Sequence, residues 1–344
     1  MPKTSNLSVD ERRTLFLNNK PAAFLQPAKL HAIHLPTFER QGVKLSLLRL
    51  DQLHPMVSGN KYFKVFNHLK SYLKQESRLP VASFGGQWSN HLHALAAICQ
   101  SLSIRSIGLV RGEAERGNAC LSDLRAMGMQ IKFLSRSSYR ERYQADFLRA
   151  LEHELGGVFW IPEGGSGSAG ALGCIPIGDL LRQKGMDVVA IPCGTGTSFA
   201  GVIAGLNSSN KPIEALGFSA LKGCGDDLIK SVNETLIALP VSDASIQNWK
   251  IIDEYHCGGF AKYPQYLADW VESFEAKTAI PLDPVYTAKM MYGLNKMCEA
   301  GAWASGTEIV AVHTGGLQGR RGRPVAPLGT KETKHGNVRI GTKS

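Results

Sequence analysis

From Val81 to Val312 the chain alternates short apolar runs with helix-patterned stretches, and that alternation confines it to parallel sheets covered by helices. Val81 to Phe84, Ser106 to Val110, Gln130 to Leu134 and Val158 to Ile161 read as strands. Helices over Asn90 to Leu102, Asn118 to Met127 and Ser138 to Leu155 lie between them. A second set of runs covers Asp187 to Ile191, Ala215 to Phe218, Lys250 to Asp253 and Glu308 to Val312. It is interleaved with helices over Ala169 to Gln183, Thr197 to Leu206, Pro264 to Lys277 and Val285 to Cys298. Two sheets imply a two-domain α/β protein, the first unit inserted in the second. The boundaries read as a large domain over 1–63 and 165–322, a small αβ domain over 64–164, and a basic tail over 323–344.

A chain of 344 residues with 43% hydrophobic content can bury two cores. It has no apolar run of about 18 residues, and Met1-Pro2-Lys3-Thr4-Ser5 holds no apolar signal core. A soluble, cytoplasmic protein with no membrane partner is expected. Seven cysteines are scattered without a Cys-x-x-Cys pair, as reduced thiols are, so neither disulfides nor a structural zinc is expected. His91 and His93 are spaced two apart on a helix and point to different sides, so no metal site is expected there either. From Gly319 onward, seven basic residues against Glu332 supply +6 of the net +10. That stretch is poor in large apolar residues and reads as disordered. It also lacks an aromatic on which a base could stack, and no nucleic-acid partner is expected.

Three glycine-bearing loops carry the chemistry. Gly59-Asn60-Lys61 places a lysine at the mouth of a helix running from about Tyr62 to Lys74, a frame suited to aiming an amine that forms a Schiff base. The same tripeptide also occurs as a plain solvated turn. Gly85-Gly86-Gln87-Trp88-Ser89-Asn90-His91 joins a strand to a helix, and Ser89 or Asn90 caps that helix whether or not either touches a ligand. Gly194-Thr195-Gly196-Thr197 ends a strand and begins a helix, where free amides, hydroxyls and the helix dipole make a phosphate cradle. The cradle is no P-loop, since it lacks Gly-Lys-Ser/Thr and no lysine lies near it in sequence. Nor is it a dinucleotide fingerprint, since the third glycine comes only at Gly201. One phosphate remains the natural guest. A monophosphate cofactor beside a Schiff-base lysine points to pyridoxal 5'-phosphate.

These loops, with Pro162-Glu163-Gly164-Gly165-Ser166, Leu282-Asp283-Pro284-Val285-Tyr286-Thr287 and His313-Thr314-Gly315-Gly316, occur in the order of a known family. From about Ala28 to Gly319 the chain resembles the 1-aminocyclopropane-1-carboxylate deaminase and D-cysteine desulfhydrase family. That resemblance implies the tryptophan synthase β-like fold of pyridoxal-phosphate enzymes (fold type II), with Val43 to Leu50 pairing in the later sheet. It implies that Lys61 carries the cofactor, that Asn60 and Asn90 help to hold it, Asn90 at the ring's 3-hydroxyl, and that Gly194, Thr195, Gly196 and Thr197 hold the phosphate. Ser89 would sit beside the substrate carboxylate, with His91, Gly164 and Phe260 in the substrate pocket. Tyr286 would be a catalytic tyrosine, and Thr287 would face the pyridine nitrogen. Tyr286 also reads as a core aromatic at a helix start, His313 as a structural imidazole or a cofactor contact, and His256 and Cys257 as pocket wall. The resemblance further implies a small amino-acid substrate and a homodimer.

Three positions depart from the family pattern. Phe260 stands where a second tyrosine is usual, Ala288 where glycine is usual, and His91 where glutamine is frequent. The family's cyclopropane-opening deaminases keep the pyridine nitrogen protonated with a glutamate, whereas Thr287 is a neutral hydroxyl that its desulfhydrases share. The expected reaction is therefore β-elimination from D-cysteine, giving pyruvate, ammonia and sulfide. The alternatives are deamination of 1-aminocyclopropane-1-carboxylate to 2-oxobutyrate and ammonia, or another reaction such as β-replacement or dehydration. A reading from a different class, in which the glycine loops only close turns, leaves a nucleotide-binding oxidoreductase or a basic-tail interaction protein.

Overall fold

The structure is a computed structural model that describes residues 7–19, 25–57, 59–112, 118–207, 211–240 and 248–322. In chain order its elements begin with α1 (Val9–Asn18), β1 (Lys29–Ile33), α2 (Pro36–Gln41), β2 (Lys44–Arg49) and α3 (Asn60–Lys74). The next stretch is β3 (Val81–Gly85), α4 (Asn90–Ser101), β4 (Ser106–Arg111), α5 (Ala119–Ala126), β5 (Met129–Leu134), α6 (Arg136–Arg140), α7 (Ala145–Glu154) and β6 (Phe159–Trp160). The last is α8 (Ser168–Arg182), β7 (Val188–Cys193), α9 (Thr197–Leu206), β8 (Glu214–Ser219), α10 (Gly225–Ile237), β9 (Trp249–Ile252), α11 (Gln265–Thr278), α12 (Thr287–Glu299) and β10 (Glu308–His313).

The strands form two sheets, one of six in the order β1-β2-β10-β7-β8-β9 and one of four in the order β5-β4-β3-β6. All pairings are parallel except the edge pair β1 with β2. β7 is buried at every position, as a strand covered on both faces must be, and its residues are accordingly an unbroken apolar run. β2 pairs with β10 in the six-stranded sheet, so the N-terminal pair β1 and β2 closes a sheet whose remaining four strands come more than 130 residues later. One hydrophobic core runs from Phe66 and Leu69 of α3 through Leu95 of α4 to Ile191 of β7 and Phe199 of α9, tying both sheets together.

Glycines allow the helices between the sheets to touch. A Cβ on Gly173 of α8 would lie 1.9 Å from the Phe63 carbonyl oxygen of α3, and one on Gly201 of α9 would lie 2.2 Å from the Ala171 carbonyl oxygen of α8. This close approach holds α3, α8 and α9 as one packed layer beneath the cleft.

The structure differs from the sequence reading in several elements. The stretch Ser138 to Leu155 is two helices, because Arg142 and Tyr143 turn out of the helical path to bond Glu163. α1, β1, α2 and α10 stand where no element was read. The residues from Gly319 to Gly322, which the charge count placed with the tail, belong to a short 3-10 turn, Leu317–Gly322. There Arg320 pairs with buried Glu275 and Arg321 with Asp123. Residues 323–344 lie outside the described residues, so the expectation of a disordered tail does too. No described helix is long and apolar enough to cross a membrane.

Candidate active site

The loops at the carboxyl ends of both sheets meet around a cleft of about 1480 Å³. Gly59 opens α3 with φ +79°, and a Cβ there would lie 1.9 Å from the Thr314 carbonyl oxygen, so the turn presenting Lys61 demands glycine. The Asn60 backbone N–H donates to that same carbonyl (3.2 Å), and its side-chain Nδ2 donates to Ser198 Oγ (2.9 Å). α3 is thereby fastened to the start of α9. Lys61 lines the cleft, and burial pushes its amine below the usual lysine range, with the Asp283 carboxylate among the groups opposing that shift. A lowered amine pKa is what a lysine that must attack a carbonyl carbon needs.

The loop read as a phosphate cradle has a cation beside it that the sequence reading missed. One helical turn after Lys61, Lys64 is only 3% exposed, and its Nζ donates to Thr195 Oγ1 at 3.1 Å. Burial, and then the charge of Lys61, push its pKa well below normal. Thr195 Oγ1 in turn meets Thr197 Oγ1 at 3.0 Å, and Gly196 begins α9 in the left-handed region at φ +73°. A Cβ on Gly164 would lie 3.8 Å from both Lys64 Nζ and Thr195 Cγ2, so Gly164 borders this loop as it lines the cleft. The i, i+3 spacing of Lys61 and Lys64 was the available signal, because it puts both amines on one helix face.

Across the cleft, Ser89 caps α4 by accepting from the Leu92 N–H (3.2 Å), which leaves the amides of Asn90 and His91 at the helix mouth. Asn90 Oδ1 accepts from Gln318 Nε2 at 2.5 Å, an arrangement that leaves the Asn90 Nδ2 hydrogens to face other partners. His91 is buried. Ser83 Oγ spends its one hydrogen on the Ile161 carbonyl (2.7 Å), so it accepts from His91 Nε2 (2.8 Å) and fixes the imidazole as the Nε2–H tautomer. Burial pushes the His91 pKa far down, which keeps the ring neutral.

The third side of the cleft begins at Asp283, whose Oδ1 accepts from the Tyr286 N–H at 2.6 Å. Burial raises the Asp283 pKa to about 6 against the pull of those loop amides. The Tyr286 side chain packs on Gly194, and burial raises its phenol pKa. Thr287 is fully buried, and its Oγ1 has no hydrogen-bond partner among the described residues. Phe260 is half exposed, with its ring 6.1 Å from that of Tyr286. Buried Lys289 donates to the Gly259 carbonyl at 2.6 Å and holds the loop that carries Phe260.

Other sequence candidates have structural work. His313 accepts from the Gly315 N–H and donates to the Pro281 carbonyl, so both ring nitrogens are committed to shaping the loop. His256 Nδ1 accepts from the Gly258 N–H in the turn before Phe260.

Fold and site together define a class: an α/β protein of tryptophan synthase β type with a Gly-Thr-Gly-Thr loop at a helix start beside a lysine at a helix mouth. The chain belongs to the family described as pyridoxal-phosphate dependent enzymes, whose pattern matches residues 26–315. The bifunctional D-cysteine desulfhydrase/1-aminocyclopropane-1-carboxylate deaminase, mitochondrial, of Arabidopsis thaliana is 26% identical over 345 residues, covering 88% of this chain and 84% of that one. A solved structure of an ACC deaminase homologue superposes with a TM-score of 0.72 at 23% identity, over 90% of this chain and 95% of that one. The processed form of threonine deaminase isoform 2 from Solanum lycopersicum superposes with a TM-score of 0.62 at 16% identity, over 90% and 84%. At those identities the solved structures speak for the fold. The family resemblance read from the six motifs is borne out, and with it the cofactor, pyridoxal phosphate.

The residues fit that cofactor. A buried ammonium such as Lys64 calls for an anion, and the cradle beside it offers hydroxyls and helix-start amides to the same group. The buried, unpartnered Thr287 Oγ1 is a hydrogen-bonding group left for a ring nitrogen.

Proposed function

We propose that this enzyme is a lyase that eliminates a β substituent from a small D-amino acid, with D-cysteine as the type substrate and pyruvate, ammonia and sulfide as products. The observation that carries this reading is Thr287, a neutral, buried hydroxyl with no described partner at the start of α12. The one nearby carboxylate in the loop, Asp283, is held by backbone amides instead. Bound pyridoxal phosphate supplies an electron sink for charge that develops at the substrate's Cα. A hydroxyl cannot keep the ring nitrogen protonated as a carboxylate does, so that sink is moderate. β-Elimination tolerates a moderate sink, because the leaving thiolate carries the electron pair away. Opening a cyclopropane ring does not.

In this reading Lys61 bonds the cofactor and, once displaced by the substrate amine, takes the proton from Cα. Lys64, Thr195, Gly196 and Thr197 hold the phosphate, Asn90 the ring hydroxyl, and Ser89 with the α4 amides the substrate carboxylate. Tyr286, which lines the cleft together with Ser89, stands at the reacting face. The Arabidopsis relative's name covers both reactions, which supports a lyase or deaminase and leaves the choice to Thr287. A homodimer, implied by the resemblance, and a cytoplasmic location, expected from the sequence, are carried as part of the proposal. The test is a side-by-side kcat/KM for D-cysteine, read as pyruvate and sulfide, and for 1-aminocyclopropane-1-carboxylate, read as 2-oxobutyrate. D-cysteine is expected to be the faster by at least about tenfold. Faster turnover of the cyclopropane acid would overturn the argument from Thr287.

A further inference from the structure

The four-stranded sheet gives the cleft a wall that the reaction above does not use. α6 and the turn after it fold back over the carboxyl ends of β4 and β3 to reach the far edge of the sheet. Tyr139 packs edge-on against Phe84 of β3 (5.9 Å), and its hydroxyl donates to Glu163, just past β6, at 2.6 Å. Arg142 Nε (2.6 Å) and the Tyr143 hydroxyl (3.1 Å) donate to the same carboxylate. Glu163 is thus saturated, and the charge it neutralises is that of Arg142.

Three more guanidiniums line this wall. Arg111 ends β4 and lies over the Tyr139 ring at 5.9 Å, and Arg136 and Arg140 stand on α6. None of the three guanidiniums has a hydrogen bond or ion pair among the described residues, and, unlike the equally unpaired Arg40, Arg78 and Arg125, all three line the cleft. The cofactor phosphate does not account for them, because Lys64 and the Thr195 loop already receive it. The substrate's α-carboxylate does not either, because the mouth of α4 receives it. The cleft also exceeds the volume of about 300–1,000 Å³ typical of a drug-sized ligand, which is the size of cofactor and small amino acid together.

We propose, building on the lyase reading, that the preferred substrate carries a second anion on its β substituent, a carboxylate or a phosphate, received by Arg111, Arg136 and Arg140. Guanidiniums suit either oxyanion through paired N–H donors. With O-phospho-D-serine the step balances without a redox partner. The Cα–H bond breaks, its electron pair forms the Cα=Cβ bond, and the Cβ–O bond breaks as phosphate leaves with its pair. Water then converts the released enamine to pyruvate and ammonium.

The test uses the holoenzyme with three probes: D-cysteine, S-carboxymethyl-D-cysteine and O-phospho-D-serine. Pyruvate release gives kcat/KM, and calorimetric titration gives binding independently of turnover. At least one anionic probe is expected to exceed D-cysteine by about tenfold in kcat/KM, the worth of roughly 1.4 kcal/mol, and the better of the two identifies the anion. In the R136Q/R140Q double variant the ratio of that probe to D-cysteine is expected to fall about tenfold, mostly through KM, and the wild-type advantage is expected to shrink as salt is raised. A purely structural role for the two arginines would lower all three probes together and leave the ratio in place. That result, or tighter binding of D-cysteine than of both anions, overturns the subsite. If an anionic probe binds preferentially and the double variant loses that preference, yet no probe yields pyruvate, the subsite stands and the lyase reading falls.

Discussion

On the proposed reading, Lys61 and Lys64 divide one helix face between covalent chemistry and charge. They stand one helical turn apart; burial lowers the proton affinity of both amines, and the charge of Lys61 lowers that of Lys64 further. Lys61 faces the open cleft, whereas Lys64 is held against Thr195, so the two substitutions have different expected outcomes. K61A is expected to abolish the visible Schiff-base absorption and nearly all turnover. K64A is expected to keep a cofactor that borohydride can trap on Lys61, while cofactor affinity drops by about tenfold or more through loss of one charge-assisted contact. Trapping on Lys64 in the wild type would sink the assignment. This pair also shows what the sequence conveys about a site. Lys61 was legible because Gly59 and Asn60 frame it locally. Lys64 was missed because its partner, Thr195, lies 131 residues away, and only the fold brings them together. His91 was legible as a departure from the family pattern, but its tautomer was not, since that depends on how Ser83 spends its hydrogen on Ile161.

At the scale of elements, the buried parallel strands were easy to read, because a strand covered on both faces is an apolar run bounded by turns. β1 was not, being an edge strand whose first two residues are exposed. α10 begins Gly225-Asp226-Asp227, which hides an apolar stripe of Leu228, Val232 and Leu236. The break between α6 and α7 was illegible because Glu163, which draws Arg142 and Tyr143 out of line, lies 20 or more residues on. Glycines inside helices carry the opposite lesson, since their cost in propensity reveals a close approach. On propensity alone Gly173→Ala would gain about 0.5–1 kcal/mol. Its Cβ would instead fall 1.9 Å from the Phe63 carbonyl oxygen of α3, and overpacking of that kind costs about 1–3 kcal/mol or more. Sterics should win. G173A is expected to lower the urea midpoint and, by shifting α3, to weaken cofactor binding at Lys61; a stabilised variant would show that α3 and α8 do not meet as closely as this packing requires.

Across the whole molecule, the chain returns at its described end to lock both sheets around the cleft. In the turn Leu317–Gly322, Gln318 holds Asn90 and Arg321 pairs with Asp123 of α5, both on the side of the four-stranded sheet. On the other side Arg320 makes a bidentate pair with Glu275 of α11 and also donates to the Leu282 carbonyl, one residue before Asp283. The Glu275 side chain is 3% exposed and that of Arg320 17%, so removing Arg320 strands a buried carboxylate. Losing one partner of such a pair costs about 3–5 kcal/mol. Two truncations separate this turn from the residues beyond it. A chain ending at Gly322 removes only the polar, basic stretch, and it is expected to keep cofactor binding and turnover within about a factor of two. A chain ending at Gly316 also removes Gln318, Arg320 and Arg321, and it is expected to lose cofactor and to melt at clearly lower temperature. R320A, which leaves the buried Glu275 carboxylate with only the Leu282 N–H, should reproduce most of that thermal loss while Asn90 stays tethered to Gln318. Thermal melts with cofactor absorbance read at each temperature distinguish these outcomes: an equal loss from the longer chain would mean that the basic stretch packs on the body, and an unaffected shorter chain would mean that the turn does not hold the cleft together.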